Sequence, residues 1–380
     1  MRGADAPRVA VVHDWLDRYA GSERVLERIL QLYPDADLFA VVDFVPDEQR
    51  AFLSGKRATT TFVQRLPFAR TRFRSYLPWM PLAIEQLDLS AYDLVLSSSH
   101  AVAKGVITGP NQVHVSYVHS PMRYAWDLQH QYLRESGLDR GLVGAWVRLS
   151  LHRLRTWDVR SAHGVDAFLA NSHFIAKRIR KTYRRDATVV HPPVDVSAFP
   201  LHEAKGSAFV TASRLVPYKR VDVLVRAFAA MPDRTLHVVG DGPDRGKLEA
   251  SAPPNVVFHG HRDHAALVRA LGEARAFLFA AEEDFGITPV EAQATGTPVV
   301  AFGRGGALET VRGLDASEPT GVFFDAQTPE AVADAVERFE RHAGDFDPHA
   351  IHAHARTFRP ERFDAAFREA VDDAVRTFPA

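Results

Sequence analysis

Short apolar runs alternate with amphipathic helical patterns along this chain, and the alternation occurs twice. In the first half a helical segment at 22–33 follows the first run, and such an order of strand and helix predicts a parallel α/β sheet. Four runs of the first half have the length and apolar content of buried strands: VAVV (9–12), DLVLS (93–97), HVSYV (114–118) and DAFLA (166–170).

The alternation stops at HPPVDVSAFP (191–200), where the prolines break any regular element, and then starts again. We therefore predict an N-terminal α/β domain at 1–197 and a second at 198–359, since 380 residues exceed what one core usually serves. A last helix at about 360–380 could pack on either domain. The second half contains five predicted strands: AFVTAS (208–213), TLHVVG (235–240), VVFHG (256–260), AFLFA (276–280) and PVVAF (298–302).

Charge and composition exclude several classes of function. Lys plus Arg (46) nearly equals Asp plus Glu (47), so no nucleic-acid partner is expected. The absence of cysteine excludes disulfides and thiolate metal sites. The N-terminal stretch has no long apolar segment, and no run approaches the eighteen or so apolar residues of a membrane span. These features predict a cytoplasmic globular protein.

The segment AEEDFGITPVEAQATGTPVVAFGRGGALETV (281–311) carries the strongest chemical signal. Glu283 and Glu291 stand eight residues apart around a turn that leads into a helix, so both carboxylates could face one crevice at a strand end. The helix N-terminus offers N–H groups to a diphosphate, and Gly286, between Phe285 and Ile287, permits close approach. Glu291 suits ribose hydroxyls and Glu283 suits sugar hydroxyls. The alternative is a capped helix with solvated acids.

Two further segments suit phosphate groups. ASRLVPYKR (212–220) places Arg214 and Lys219 after the first strand of the second half, where they could neutralise a diphosphate leaving group. A solvated helix start is the alternative there. In the first half, Gly21 opens a turn whose N–H groups could face a phosphate or sugar, or else Ser22 is an ordinary helix N-cap.

Two loops have weaker signals. VHSPMRYAWD puts His119 just past a strand end, where it could line a cleft or be a satisfied structural histidine. Gly305 and Gly306 could form an anion or sugar cradle, or a helix-opening turn. No Gly-x-Gly-x-x-Gly follows the first strand and no Walker A sequence occurs, which argues against a dinucleotide-dependent oxidoreductase and a P-loop NTPase.

The combination resembles a known family. The first half contains HDWL with AGSERV, LDLSAYDLVLSSSHAVAKGV and VSYVHSPMRYAWD, and the second contains SRLVPYKR and EEDFGITPVEAQATGTPVVAFGRGGALETV. In these motifs the chain is similar to GT-B glycosyltransferases of family 4, the glycosyltransferase 1 or RfaG-like group. Within it, the WbaZ-like mannosyltransferases of O-antigen and capsule assembly are most similar. The resemblance implies two Rossmann-like domains facing across a cleft and retaining transfer from a sugar nucleotide, with no metal and no other cofactor.

The resemblance also implies roles for individual residues. Glu283 would contact the donor sugar and Glu291 the ribose, while Arg214 and Lys219 would bind the diphosphate. Gly21 would lie in a phosphate-facing loop and His119 would face the sugar in the cleft. Ser22 stands where many members have a second glycine.

The donor expected from the resemblance is GDP-mannose, with UDP-sugars as the alternative. Asp263, in HGHRDH (259–264), is our hypothesis for the group that pairs with guanine N1–H and N2–H. Two rival functions carry less weight: another GT-B activity on a sugar nucleotide or glycan, and a noncatalytic scaffold of a polysaccharide assembly complex.

The prediction of the acceptor is based on two basic segments. TFVQRLPFARTRFRSYLPWMPL (61–82) interleaves four arginines with aromatic residues and has no acid, and KRIRKTYRR (177–185) is a second basic run. Both suit the anionic inner face of the plasma membrane and a lipid-linked glycan or glycolipid acceptor. An exposed basic helix beside an acceptor groove is the alternative for 61–82.

Two metal-like patterns are interpreted as accidental. DAD (35–37) falls in a predicted loop, and His349, His352 and His354 do not share one helical face, which favours a solvated surface.

Overall fold

The computed structural model describes residues 7–378. The first six residues of the N-terminal stretch and the last two of the expected final helix lie outside this range. The chain forms two compact units. The N-terminal unit comprises the residues up to Pro192 together with those from Phe363 onward, and the C-terminal unit comprises Pro193–Arg362.

The N-terminal unit is built on a parallel sheet of seven strands in the order β3-β2-β1-β4-β5-β6-β7. Every residue of β4 and β5 is buried, as expected for a parallel sheet with helices on both faces. The strands are β1 (Val9–His13), β2 (Asp37–Ala40), β3 (Thr59–Thr60), β4 (Leu94–Ser99), β5 (Val113–Val118), β6 (Ala167–Ala170) and β7 (Thr188–Val189). The helices are α1 (Gly21–Leu32), α2 (Ala69–Arg72), α3 (Met80–Ile84), α4 (Gln129–Glu135), α5 (Gly141–Ser161) and α6 (His173–Tyr183).

The C-terminal unit has a parallel sheet of six strands in the order β10-β9-β8-β11-β12-β13. The strands are β8 (Phe209–Ala212), β9 (Leu236–Val239), β10 (Val256–Gly260), β11 (Phe277–Phe279), β12 (Val299–Phe302) and β13 (Gly321–Phe324). The helices are α7 (Val221–Ala229), α8 (Arg245–Ala250), α9 (His264–Gly272), α10 (Ile287–Ala294), α11 (Ala307–Thr310), α12 (Pro329–Arg341) and α13 (Pro348–Ala355). The predicted fold class, two Rossmann-like α/β domains, is confirmed.

Short 3₁₀ segments of three to seven residues connect many of these elements. They are Asp47–Leu53, Phe62–Arg65, Phe73–Trp79, Ala103–Gly105, Ala162–Gly164, Val196–Ala198, Pro217–Lys219, Ala343–Asp345 and Arg356–Phe358.

The last helix, α14 (Pro360–Thr377), packs on the N-terminal unit. It buries Phe363, Phe367, Val371 and Ala374, whose spacing of four, four and three residues places them on one face. Burial of each large apolar side chain stabilises the unit by about 1.5–3 kcal/mol. An ion pair between Arg28 and Asp364 ties the start of the helix to α1.

In each sheet the strand order reverses at one point, and the candidate sites lie beside this reversal. Strand order reverses between β1 and β4 in the N-terminal unit and between β8 and β11 in the C-terminal unit. Ligands of open parallel sheets bind at the carboxyl ends of the strands beside such a reversal. The predicted site residues follow these strands, apart from His119, which follows β5 beside β4, and Asp263, which follows β10.

Three local expectations were wrong. Asp37 is not in a loop, because it begins β2 and accepts the hydroxyl of Tyr92 at 2.8 Å. Ser22 is not the N-cap of α1, which begins at Gly21 with Ala20 at the N-cap. His354 is buried rather than solvated and contacts the carbonyl oxygen of Thr310 at 3.1 Å through Nε2. None of the described helices is both long enough and apolar enough to span a membrane.

Candidate functional site

In the C-terminal unit, the ends of β8 and β11 bring Lys219 and Glu283 together. Lys219 closes the 3₁₀ turn Pro217–Lys219 after β8, and Glu283 lies in the loop after β11. The two side chains form an ion pair and are only 17% and 18% exposed. The structure therefore joins two residues that the sequence analysis placed in different motifs, 64 positions apart. Both belong to the catalytic set that the sequence predicts.

Helix α10 begins beside this pair for a local reason. Gly286 adopts a left-handed conformation with φ of 88°, which glycine tolerates without strain, and the helix starts at the next residue, Ile287. Glu291 lies just past the first turn and is 3% exposed, and Phe285 is equally buried. The alternative interpretation, a helix with solvated acids, is wrong because neither Glu283 nor Glu291 is solvated.

Gly305 and Gly306 serve the backbone of this loop. The N–H of Gly306 donates to the carbonyl oxygen of Glu283 at 2.8 Å. A Cβ on Gly305 would lie 2.3 Å from that oxygen, and one on Gly306 would lie 2.3 Å from Cα of Phe285. Only glycines allow this approach. The expected anion cradle is thus wrong for the N–H of Gly306, which is already bonded to the loop that presents Glu283.

A second pair of glycines supports the loop of Arg214. A Cβ on Gly240 would lie 1.9 Å from the carbonyl oxygen of Ser213, and one on Gly242 would lie 2.2 Å from that of Leu215. The N–H of Leu215 also donates to the carbonyl of Asp241 at 2.9 Å. The backbone on either side of Arg214 is therefore fixed, while the Arg214 side chain itself is exposed.

Asp263 stands apart from the Lys219–Glu283 contact. It is exposed and caps α9, where Oδ1 accepts the N–H of Ala266 at 2.8 Å. It follows β10, and β9 lies between β10 and β8. A capping role explains this residue locally, and its other oxygen remains available for the guanine contact that we hypothesised.

In the N-terminal unit, the ends of β1, β4 and β5 converge on His119. Nε2 of His119 lies 2.8 Å from Oγ of Ser98, which lies 3.1 Å from Nδ1 of His13. Nε2 of His13 lies 3.3 Å from Oε1 of Glu23. His119 is therefore one end of a hydrogen-bonded chain that begins at helix α1.

Glu23 also shapes the turn that contains Gly21. Its Oε2 accepts the N–H of Ala20 and the hydroxyl of Ser22, both at 3.0 Å. Gly21 is exposed between these two residues. Burial acts to raise the pKa of Glu23, but the hydrogen bond and charge of His13 outweigh it and hold that pKa at about 2.

A second carboxylate organises the loop after β4. Asp14 is fully buried and accepts four successive backbone N–H groups, those of residues 100–103, at 2.6–2.9 Å. Nδ1 of His100 lies 3.0 Å from the same carboxylate. Burial opposes the charged forms, yet the pKa of Asp14 is lowered and that of His100 is raised because each stabilises the other's charge. The ring of His100 lies beside that of His119, at 6.2 Å between ring centroids.

His119 itself is held neutral. Burial, together with the nearby rings of His100 and His13, lowers its pKa to about 3. His13, Asp14, Glu23 and His100 were missed as functional candidates in the sequence. A signal for Glu23 was present, since a Glu three residues after a helix N-cap commonly bonds back to the cap.

The expected membrane-facing segment is only partly exposed. All four arginines of 61–82 are exposed (Arg65, Arg70, Arg72 and Arg74), although Arg74 pairs with Asp17, and Phe73 is buried. The segment is several short helical pieces, so the expected single basic helix is wrong. In 177–185, Arg178 and Arg180 form ion pairs with acids of the same unit.

Helix α5 adds an apolar surface that the sequence analysis missed. Leu142, Trp146 and Leu149 lie on one face of α5, and Leu142 is 91% exposed. Trp146 and Leu149, together with Pro78, Trp79 and Pro81, border an apolar groove of about 370 Å³, lined mainly by aromatic, proline and leucine side chains and by Arg153. We call this the α5 groove. Solvent-exposed aromatic and aliphatic side chains in one patch are typical of an interaction surface.

No group of three or more His, Asp or Glu side chains within residues 7–378 is arranged to hold a metal ion.

Comparison with known proteins assigns the two units. Residues 19–198 match the model of Glycosyltransferase Family 4, and residues 197–353 match that of Glycosyl transferases group 1. Together the two matches extend from residue 19 to residue 353. The two matches meet within six residues of the boundary between the N-terminal and C-terminal units.

Individual relatives are similar over part of their length. A GDP-mannose-dependent monoacylated phosphatidylinositol monomannoside mannosyltransferase of Corynebacterium glutamicum is 32% identical over 39% of this chain and 47% of its own length. A GDP-mannose-dependent alpha-mannosyltransferase of Mycobacterium tuberculosis is 38% identical over 34% of each chain. The chain spans less than half the length of these relatives. The structure of Anabaena HepE in complex with UDP has the same fold, with a TM-score of 0.69 at 17% identity, covering 96% of this chain and 100% of its own.

Proposed function

We propose that this protein is a retaining glycosyltransferase that moves a hexose, mannose from GDP-mannose, onto a lipid-linked or polysaccharide acceptor. The observation that carries the proposal is the Lys219–Glu283 ion pair at the strand reversal of the C-terminal unit, beside the buried Glu291. A cation, two carboxylates and a helix N-terminus at one strand edge match three parts of a sugar nucleotide: the cation and the helix N-terminus suit the diphosphate, and the carboxylates suit the sugar and the ribose.

The chemistry assigns a step to each group. Lys219 and Arg214 stabilise the negative charge that grows on the diphosphate as the glycosyl bond breaks, which is where fixed cations lower a barrier. Glu283 accepts hydrogen bonds from hydroxyls of the donor sugar, and Glu291 from those of the ribose. Phe285, Gly286 and Ile287 carry the backbone of the donor loop. In a retaining reaction on one face of the sugar, the departing diphosphate takes the acceptor proton, and we name no protein nucleophile.

The guanine base and mannose are favoured by the two GDP-mannose-dependent relatives. The alternative donor is a UDP-sugar, and the complex of HepE with UDP supports it. Asp263 is the group we assign to the guanine edge. In the same proposal the N-terminal unit receives the sugar at His119 and phosphate near Gly21, and the reaction needs no divalent metal.

The acceptor is proposed to lie at the inner face of the plasma membrane. The α5 groove offers apolar surface, and Arg70, Arg72 and Arg153 place positive charge in and around the same unit. Anionic lipids attract such residues by about 1 kcal/mol each near the surface. A WbaZ-like role in O-antigen or capsule assembly is the biological setting that the sequence motifs favour.

To test the proposal, the purified protein is incubated with GDP-mannose, UDP-glucose or UDP-GlcNAc, with and without EDTA. Release of the nucleoside diphosphate is measured. GDP release from GDP-mannose that survives EDTA and is lost in Glu283→Ala supports the proposal. Glu282→Ala, at the exposed neighbouring acid, is the matched control. Turnover of UDP-sugars alone would replace the donor, and binding of no nucleotide would leave a scaffold of a polysaccharide assembly complex.

A further inference from the structure

The Lys219–Glu283 ion pair places a negative charge beside the cation to which the proposed function assigns the diphosphate. The ammonium of Lys219 contacts Oε1 of Glu283, and the two side chains are 17% and 18% exposed. Because so little of either side chain is exposed, solvent screens these charges only weakly. An anion that binds Lys219 therefore also experiences the charge of the Glu283 carboxylate.

The backbone of Glu283 is held in this position by the two glycines after β12. Its carbonyl oxygen accepts the N–H of Gly306 at 2.8 Å, and a Cβ on Gly305 would lie 2.3 Å from the same oxygen. One stretch of backbone thus packs directly on another. The side chain of Glu283 can change rotamer, but its Cα cannot withdraw from the strand edge without breaking these contacts.

The backbone of Lys219 is held as well. Its N–H donates to the carbonyl oxygen of Val216 at 3.0 Å, and the next residue, Arg220, ends the turn in a left-handed conformation with φ of 53°. The guanidinium of Arg220 donates to Asp222 at 3.2 Å and to Gln327 at 3.0 Å. Both charges of the ion pair are therefore presented from backbone that other contacts keep in place.

The two parts of a sugar nucleotide respond to this pair in opposite ways. A diphosphate is attracted by Lys219 and repelled by Glu283. A sugar is uncharged, and its hydroxyls can donate to the carboxylate, because an ionised carboxylate only accepts hydrogen bonds. A sugar attached to the diphosphate therefore compensates Glu283 for the contacts that it loses on binding, whereas a nucleoside diphosphate without a sugar does not.

We infer that Glu283 makes the donor site select a sugar nucleotide over the nucleoside diphosphate that remains after transfer. The inference rests on the proposed function, which assigns the diphosphate to Lys219 and the sugar to Glu283. The carboxylate weakens binding of the product, because the product lacks the hydroxyls that would satisfy it. Glu283 is thus a specificity-determining residue, and the charge that holds the sugar of the donor also favours release of the product.

Isothermal titration calorimetry of the full-length protein with GDP, GDP-mannose, UDP and UDP-glucose tests this selection. Wild type should bind a sugar nucleotide more tightly than the matching diphosphate. Glu283→Gln removes the charge but keeps the shape of the side chain. It should bind the diphosphate at least about fivefold more tightly than wild type, the weakest repulsion expected between unit charges in contact. Transfer should fall in the same variant, so the two effects have opposite signs.

The matched control is Glu282→Gln, which makes the same change of charge at the exposed neighbouring acid. Its affinity for the diphosphate should change by less than about twofold, because solvent and salt screen an exposed charge. Diphosphate binding by Glu283→Gln that is no tighter than that of Glu282→Gln would overturn the inference. So would a wild-type protein that prefers the diphosphate to its sugar nucleotide, a comparison that needs no variant to fold. A wild-type protein that binds none of these nucleotides would overturn the proposed function, and this inference with it.

Discussion

Lys219 and Glu283 form an ion pair in which both side chains are more than four-fifths buried, at the ends of β8 and β11. Each charge is desolvated and relies on the other, so loss of either leaves its partner in a poorly solvated position. The pair is also where the proposed donor would place its diphosphate and sugar. A variant of either residue can therefore lose stability as well as activity, so both quantities are measured for the variants below.

Replacing Lys219 with Gln should lower the rate of transfer by about 10²-fold or more, because a fixed cation facing the leaving group is lost. The control is Lys247→Gln, an exposed lysine on α8 of the same unit, which should retain wild-type activity. Steady-state kinetics with the active sugar nucleotide, together with melting temperatures, distinguish loss of catalysis from unfolding. Wild-type kcat/KM in Lys219→Gln would contradict the assigned role.

Gly306→Ala should destabilise the protein by about 1–3 kcal/mol, the usual cost of overpacking. Its Cβ would lie 2.3 Å from Cα of Phe285, a backbone atom that cannot move aside cheaply. Gly344→Ala, where nothing lies within 4 Å of the added Cβ, is the control. Urea denaturation measures both. Equal midpoints for the two variants would show that the donor loop yields to the added methyl group.

His114 should make stability depend on pH between about 6.5 and 4. Burial lowers its pKa from 6.5 to about 4, and in the neutral form Nδ1 faces the carbonyl of Gly164 at 3.1 Å. Between about pH 6.5 and pH 4, the unfolded state therefore binds a proton at His114 that the folded state does not bind. This contribution to stability is full above pH 6.5 and falls by about 1.4 kcal/mol per unit as the pH drops towards 4.

Urea unfolding of wild type and His114→Gln at pH 7, 5.5 and 4 measures this contribution. The difference in unfolding free energy should shrink by about 3 kcal/mol over that range. His163→Gln, at an exposed position beyond α5, is the control. A difference that does not change with pH would show that folding leaves the pKa of His114 unchanged.

The α5 groove should bind anionic membranes. The double variant Leu142→Ser/Trp146→Ser removes two exposed apolar side chains and should weaken partitioning to anionic vesicles at least about tenfold, since each buried side chain contributes about 1.5 kcal/mol or more. Leu308→Ser, at another exposed leucine in the C-terminal unit, is the control. Co-sedimentation with phosphatidylglycerol and with phosphatidylcholine vesicles provides the measurement. Equal sedimentation of wild type and double variant would exclude this surface.

The arginines should provide the salt-sensitive part of that binding. Arg70→Gln/Arg72→Gln should weaken binding to anionic vesicles at low salt and have little effect at high salt, where charges on the surface are screened. Vesicle binding that survives both high salt and this double change would assign it to the apolar groove alone.

The sequence by itself determined the two α/β domains and the position of the donor loop. Strands that are buried on both faces read as continuous apolar runs, and the turn at Gly286 with its following helix is encoded by neighbouring residues. The strands β2, β3, β7 and β13 were not predicted; β3 and β7 have only two residues each, which carry too little pattern.

Only the tertiary structure decided which side chains meet. Glu283 is paired with Lys219, Asp14 with the loop at 100–103, and His13 with Ser98, across separations that no local pattern encodes. The parallel sheet brings distant strand ends to one edge. Acids and histidines that the sequence alone would place at the surface are buried there and interact with one another. Hydrophobic periodicity specifies the strands and helices, whereas the electrostatics of the site arise from contacts formed once those elements pack.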